Sequence, residues 1–214
     1  MCHLDEAGFA MSLPTSYSWS LVGQPLRIAY EAPQGRRVNV IGAYFSHGPL
    51  SGRLEWDSYA SVPKQKGKAR KTRAEIAAAH GLDPECLGAI DSQRLLAFVW
   101  RLAGRPAVYA RGWRRSRRLV IVLDNYSVHK SQAVKDALPE LEAAHIELFS
   151  LPSYSPELSD IEPIWRAVKG HGMPYRTQTV LGAAKQAVDA ALTEKAEQLR
   201  EAAAKMENFE SLAA

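Results

Sequence analysis

Cysteine is scarce in this chain of 214 residues: Cys2 and Cys86 are the only two. They provide neither a disulfide framework nor a CxxC metal motif. The six histidines are scattered and form no HExxH pair, so a zinc centre is not expected. Long apolar runs are also missing. The longest strongly apolar stretch, Leu119–Leu123, is far short of the ~20 residues that span a bilayer. The first residues, Met-Cys-His-Leu-Asp-Glu, place acids where a secretory leader carries basic and then apolar residues. A cytoplasmic protein without a membrane partner is the expectation. With 46% apolar and 23% charged residues, the composition is that of an ordinary globular chain, which excludes disordered, collagenous and coiled-coil classes for most of its length.

What is present is a mild excess of base, 27 Lys and Arg against 23 Asp and Glu. It is gathered in two places. Between Asp57 and Glu75 the only charges are Lys64, Lys66, Lys68, Arg70, Lys71 and Arg73; further on come Arg111, Arg114, Arg115, Arg117 and Arg118 around Trp113. Two solvated loops would look like this. So would a surface that meets a polyanion, because phosphates select clustered charge of one sign.

The hydrophobic pattern sets a coarse order of elements. Residues 1–9 suit a short strand ending at Asp5, residues 10–35 a hairpin or irregular connection, and Arg37–Phe45 (RVNVIGAYF) a buried strand. Gly52–Tyr59 can pair beside it. Residues 60–90, basic and then alanine-rich, look like an insertion, in which Ala77 and Gly81 faintly suggest a helix-turn-helix. Ser92–Leu102 carries Leu95, Leu96, Val99 and Leu102 at helical spacing, with Asp91 or Ser92 as N-cap and Gly104 as stop. Arg118–Leu123 reads as a central strand buried on both faces. A helix at 131–144, a strand at Ile146–Phe149, a Pro/Ser loop, a helix at Pro163–Lys169 and a long amphipathic helix at 179–206 complete the chain. Strands and helices in this order make an α/β mixed sheet with helices packed on it, and functional groups in such sheets gather at the carboxyl ends of the central strands.

Three acids stand out against that scheme. Asp124 directly follows the central strand, where an acid is costly unless paired, hydrogen-bonded or bound to metal. It could equally hydrogen-bond its own turn. Glu162 fits a capping box with Ser159, but Pro163 is better placed at the first helical position, which leaves Glu162 just outside the helix. Asp5 with Glu6 could be an exposed terminal pair, or could converge with Asp124. Carboxylates at element ends suit hard divalent cations, and two such ions about 4 Å apart support phosphodiester cleavage.

The segments Val122-Leu-Asp-Asn-Tyr-Ser-Val-His129 and Leu151-Pro-Ser-Tyr-Ser-Pro-Glu-Leu-Ser-Asp-Ile-Glu-Pro-Ile-Trp165, followed by Lys169, closely resemble the catalytic domain of DDE transposases, in the branch of bacterial insertion-sequence transposases related to mariner elements. Asp124 and Glu162 lie 38 positions apart, within the range of that branch, and Asp5-Glu6-x-Gly8-Phe9 with Arg37-Val-Asn-Val-Ile-Gly-Ala43 resembles its first motif and second strand. The resemblance implies an RNase H-like fold with a five-stranded mixed sheet. It implies that Asp5, Asp124 and Glu162 are the catalytic, metal-binding residues for Mg²⁺ or Mn²⁺, with two ions. Asn125 and His129 match supporting positions beside the second Asp. Asp160 stands where many members have Asn-Pro and is a rival ligand. The implied partner is double-stranded DNA, transposon ends and target, contacted by Lys64, Lys66, Lys68, Arg70, Lys71, Arg114, Arg115, Arg117 and Arg118, in a cytoplasmic, nucleoid-associated protein able to form a homodimer. Residues 1–175 would be the catalytic domain, with 60–90 inserted, and 176–214 a helical extension. Only four residues precede Asp5, where full-length members carry DNA-binding helices. Three readings are then open: a catalytic fragment, one of two reading frames with a separate N-terminal DNA-binding frame, or a non-catalytic DNA-binding remnant.

Overall fold

A computed structural model describes residues 1–11, 20–25, 36–62, 71–152, 155–173 and 178–213. Five strands, β1 (Cys2–Ala10), β2 (Arg37–Tyr44), β3 (Leu54–Ser61), β4 (Leu119–Leu123) and β5 (Ile146–Ser150), form one sheet in the order β3-β2-β1-β4-β5. The β1–β2 and β2–β3 pairs are antiparallel, and β1–β4 and β4–β5 are parallel. This is the five-stranded mixed sheet of the RNase H-like fold. Among the described residues five α-helices accompany it: α1 (Arg73–Ala79), α2 (Ser92–Leu102), α3 (Gln132–Ala143), α4 (Glu162–Ala167) and α5 (Leu181–Ala213).

Alternation along the strands builds a core on each face of the sheet. Ala7 and Phe9 of β1 and Val38 and Val40 of β2 face α4 and α5, where they meet Trp165, Leu181, Val188 and Leu192. Cys2 and Leu4 of β1, with Ile41 and Ala43 of β2, face the other way, against Leu95, Phe98 and Val99 of α2 and Leu141 of α3. The α2 stripe follows the expected spacing, with Asp91 capping through its side chain onto the Arg94 N–H. Continuously apolar β4 is inserted between two parallel neighbours, as its composition requires. Among the described residues no helix is long and apolar enough to cross a membrane.

Some expectations need correction. β1 does not end at Asp5. Glu6–Ala10 continue the ladder against β2, so Asp5 sits at mid-strand, opposite Gly42. The suggested helix-turn-helix is absent, because α1 is followed by a single 3₁₀ turn at Pro84–Cys86 before α2 begins. Glu162 does not stand just outside the helix as the placing of Pro163 at its first position predicts, and the capping box at Ser159 is not formed either. Ile161 is the N-cap without a side-chain bond, and Glu162 opens α4 with Pro163 at its second position. The first half of α5 is packed on the sheet, burying Leu181, Ala184, Val188, Ala191, Leu192 and Ala196. Most of residues 10–35, expected to be a hairpin or irregular connection, lies outside the described residues.

A carboxylate cleft at the carboxyl end of β4

Register brings the first two acids together. β1 and β4 run parallel with Leu4 beside Leu123, so the next residues along the two chains are Asp5 and Asp124. α4 then presents Glu162 from the far side of a loop that begins at Leu151. Asp5, Asp124 and Glu162 line one cleft of about 410 Å³, together with Asn125, Tyr126, Lys130 and Ser159. A larger groove of about 470 Å³ lies between β3 and α5 and contains none of these acids.

Asp5 is strongly perturbed by its surroundings. Burial pushes its carboxyl up to about 6, the negative charges of Glu162, Glu6 and Asp124 push in the same direction, and a hydrogen bond from the Glu6 backbone opposes them. Its Oδ2 accepts the indole N–H of Trp165 at 2.9 Å. Gly42 makes that contact possible: a Cβ there would stand 2.5 Å from Trp165 Cη2. Asp124 hydrogen-bonds its own turn, as one of its sequence readings expects, and also faces the cleft. Its Oδ1 accepts the Tyr126 N–H at 2.8 Å, closing its own turn, while the side chain is 56% exposed toward the cleft.

The supporting residues have distinct places. Asn125 donates its amide to the Leu151 carbonyl at 2.5 Å, tying the β4 turn to the loop that leads to Glu162. His129 is buried, with Nδ1 3.0 Å from Asp124 Oδ1 and Nε2 3.0 Å from Glu6 Oε1. Burial disfavours its charged form, but Glu6 and Asp124 outweigh this and its pKa is raised. Glu6, which drew attention in the sequence only as the neighbour of Asp5, is thus part of the site. Adjacency of two acids in a strand was the available signal, since they must point to opposite faces. Asp160 does not line the cleft. Its N–H donates to His3 Nδ1 at 3.3 Å, and its Oδ2 lies 3.1 Å from His3 Nε2, an ion-pair distance without hydrogen-bond alignment. Burial lowers the His3 pKa.

Among the described residues, the predicted DNA-contacting arginines do not line the cleft. Lys64, Lys66, Lys68 and Arg70 lie outside the described residues, and Lys71 precedes α1. Arg114, Arg117 and Arg118 are exposed where the chain enters β4, and Arg118, next to the strand, is about 20 Å from Asp124 at ~3.3 Å per strand residue. Arg118 pairs with Glu147 at 3.0 Å. Arg115 is turned inward, its guanidinium donating to the carbonyls of Ala103 and Arg117. It clasps the loop and does not offer its charge to solvent as Arg114 and Arg117 do.

Asp5, Asp124 and Glu162 offer carboxylate oxygens, hard donors that suit Mg²⁺ or Mn²⁺. A cation there would relieve the cost of ionising Asp5. Asp5, Asp124 and Glu162 share the cleft, but among the described residues the group whose ligand atoms all lie within 4.8 Å of one another is Glu6, Asp124 and His129.

Residues 84–180 match the family model of the DDE superfamily endonucleases. Among curated proteins none matches the chain significantly. The fold is similar to that of the Mos1 strand transfer complex (16% identity, 95% of this chain and 53% of that one, TM-score 0.53). It is similar as well to the Mos1 mariner paired end complex with Mn (17% identity, 94% and 52%, TM-score 0.53) and to the mariner Mos1 paired end complex with Mg (15% identity, 95% and 54%, TM-score 0.53). The chain spans about half the length of these solved structures.

Proposed function

We propose that this chain, a DDE-type transposase domain on an RNase H-like fold, cuts DNA phosphodiester bonds at the cleft beside β4 and joins the freed 3′ ends to target DNA. The observation that carries this reading is the meeting of Asp5, Asp124 and Glu162, from three separate elements, in one cleft. The family match over 84–180 includes two of them. Each has a defined part. Asp5 and Asp124, from adjacent parallel strands, would form one wall of a divalent-ion site and Glu162 the opposite one. Mg²⁺ or Mn²⁺, two ions in the full reading, would supply an activated oxygen nucleophile and stabilise the leaving oxygen. Trp165 holds the Asp5 carboxylate in place, and Asn125 holds the loop that carries Glu162 toward the strands. Lys130, on the rim, is placed to meet a phosphate. Arg114, Arg117 and the basic segment 64–71 would hold other parts of the duplex. That the similar Mos1 structures are a strand transfer complex and paired end complexes with Mn and with Mg supports DNA and divalent ions as the ligands here.

The test is divalent-dependent nicking of duplex DNA by the wild-type chain and by Asp124→Asn. Nicking that needs Mg²⁺ or Mn²⁺ and disappears in a folded Asp124→Asn protein is the expected result. Retained cleavage in that variant refutes the assignment. Salt-sensitive DNA binding by the wild type with no nicking under any divalent condition would replace catalysis with a binding role.

A further inference from the structure

Glu6 and His129 form a connection that the proposed reaction does not itself use. In a strand, successive side chains point to opposite faces. Asp5 therefore faces α4 and Trp165, while Glu6 faces the side of the sheet that carries Cys2 and Leu4. On that side His129, in the turn between β4 and α3, has both ring nitrogens occupied. Nε2 lies 3.0 Å from Glu6 Oε1, and Nδ1 lies 3.1 Å from the Asp124 carbonyl and 3.0 Å from its Oδ1. The His129 side chain is only 1% exposed and Glu6 only 15%, so the Glu6–His129 contact is shielded from competing water. The Asp124 carboxylate accepts the Tyr126 N–H at Oδ1, and the same oxygen lies at ion-pair distance from His129 Nδ1, whose hydrogen bond goes to the Asp124 carbonyl. Oδ2 has no protein partner among the described residues.

We propose that Glu6 is a positioning residue: through His129 it fixes the rotamer of Asp124, so that Oδ2 is the oxygen presented to the cleft at a set distance from Asp5. The inference rests on the assignment of Asp5, Asp124 and Glu162 as metal ligands. It differs from direct ligation by Glu6. A cation seated among Glu6, Asp124 and His129 would have to displace both imidazole contacts, leaving Asp124 held only by its own turn.

The test compares wild type, Glu6→Gln and Glu6→Ala in the full chain, with two readouts. The first needs no metal: the side-chain ¹³C resonance of Asp124 and the ring ¹⁵N resonances of His129. Glu6→Ala should shift both, while Glu6→Gln, which keeps an oxygen toward Nε2, should leave Asp124 near its wild-type position. An Asp124 resonance unmoved in Glu6→Ala overturns the proposal. The second readout is Mn²⁺ affinity by titration. Orienting groups around metal ligands are worth roughly 10-fold or more in affinity, so Glu6→Ala should weaken binding by about that factor and Glu6→Gln should recover most of it. Equal loss in both variants would make Glu6 a ligand and overturn the positioning role. If the wild type binds no Mn²⁺ while Asp124 still moves in Glu6→Ala, the metal reading fails and the positioning contact stands.

Discussion

Replacing Asp5 by Asn should stabilise the metal-free protein, and the gain should depend on pH. A carboxyl whose pKa rises on folding binds its proton more tightly in the native state than in the unfolded chain. Its contribution is therefore most favourable at low pH and is lost as pH rises from about 4 to about 6. For Asp5, taken from 3.8 to about 6, the cost of ionisation at pH 7 is about 3 kcal/mol at most. Asparagine escapes that cost and keeps an oxygen for the Trp165 N–H, though a neutral acceptor gives up about 1 kcal/mol of the charge-assisted bond. The expected net gain is about 2 kcal/mol at pH 7, or roughly 4–8 °C in Tm for a chain of this size. Near pH 4 it should fall below about 1 kcal/mol, because the wild-type carboxyl is then protonated in the native state. Urea unfolding of both proteins at pH 4, 5.5 and 7 measures this directly. Excess Mn²⁺ should reverse the order, stabilising wild type by about 2.7 kcal/mol at 100 times its Kd and leaving Asp5→Asn unchanged. A variant less stable than wild type at pH 7 without metal, or a difference that does not change with pH, would refute the reasoning.

Two further perturbations probe other parts of the molecule. Gly42→Ala places a methyl group 2.5 Å from Trp165 Cη2 and must move the indole off Asp5. A loss of about 1–3 kcal/mol in urea unfolding, accompanied by weaker Mn²⁺ binding, is expected; wild-type Mn²⁺ affinity would show that the indole does not position Asp5. Arg114→Ala with Arg117→Ala should lower the slope of log K against log salt for duplex DNA by about 2, at roughly 0.9 for each phosphate no longer neutralised. Arg115→Ala should lower stability instead, since its guanidinium holds the loop through Ala103. An unchanged salt slope in the double variant would remove this surface from the DNA interface.

How far the site can be read from sequence depends on how local its causes are. The β4 strand is legible because an unbroken apolar pentapeptide has few other places to go, and Asp124 follows it directly. The α2 cap and stripe are equally local. β1 reads short in the sequence because two adjacent acids followed by Gly8 lower strand propensity, whereas eight ladder partners on β2 override it. The acids are tolerated by groups remote in sequence, Trp165 for Asp5 and His129 for Glu6. Asp160 matches the expected ligand types as well as Glu162 does; what separates them is His3, at the other end of the chain, to which Asp160 is turned. Arg115 resembles its neighbours in charge, and only the path of the loop turns it inward.

Those remote partners share one origin. His3 reaches Asp160 two residues before Glu162, Asp5 reaches Trp165 three residues after it, and Glu6 reaches Asp124 through His129. The short stretch of β1 from His3 to Glu6 therefore fastens both other acidic segments, one to each face of the sheet. This explains why an acid can stand in the middle of a strand: its neighbours serve as struts, so β1 cannot be exchanged for a generic apolar strand. The geometry of the cleft is set by the register of β1 against β4 more than by either motif alone. A slip of one residue would carry Asp5 to the His129 side and Glu6 to the Trp165 side, since the side-chain period of a strand is two. The carboxylates would still be present, but the Asp5 position would hold a longer side chain and His129 would face a shorter one. The apolar pairs on β1, Cys2 with Leu4 and Ala7 with Phe9, oppose that slip by burying on opposite faces, so the packing of the core and the spacing of the carboxylates are fixed by the same alternation.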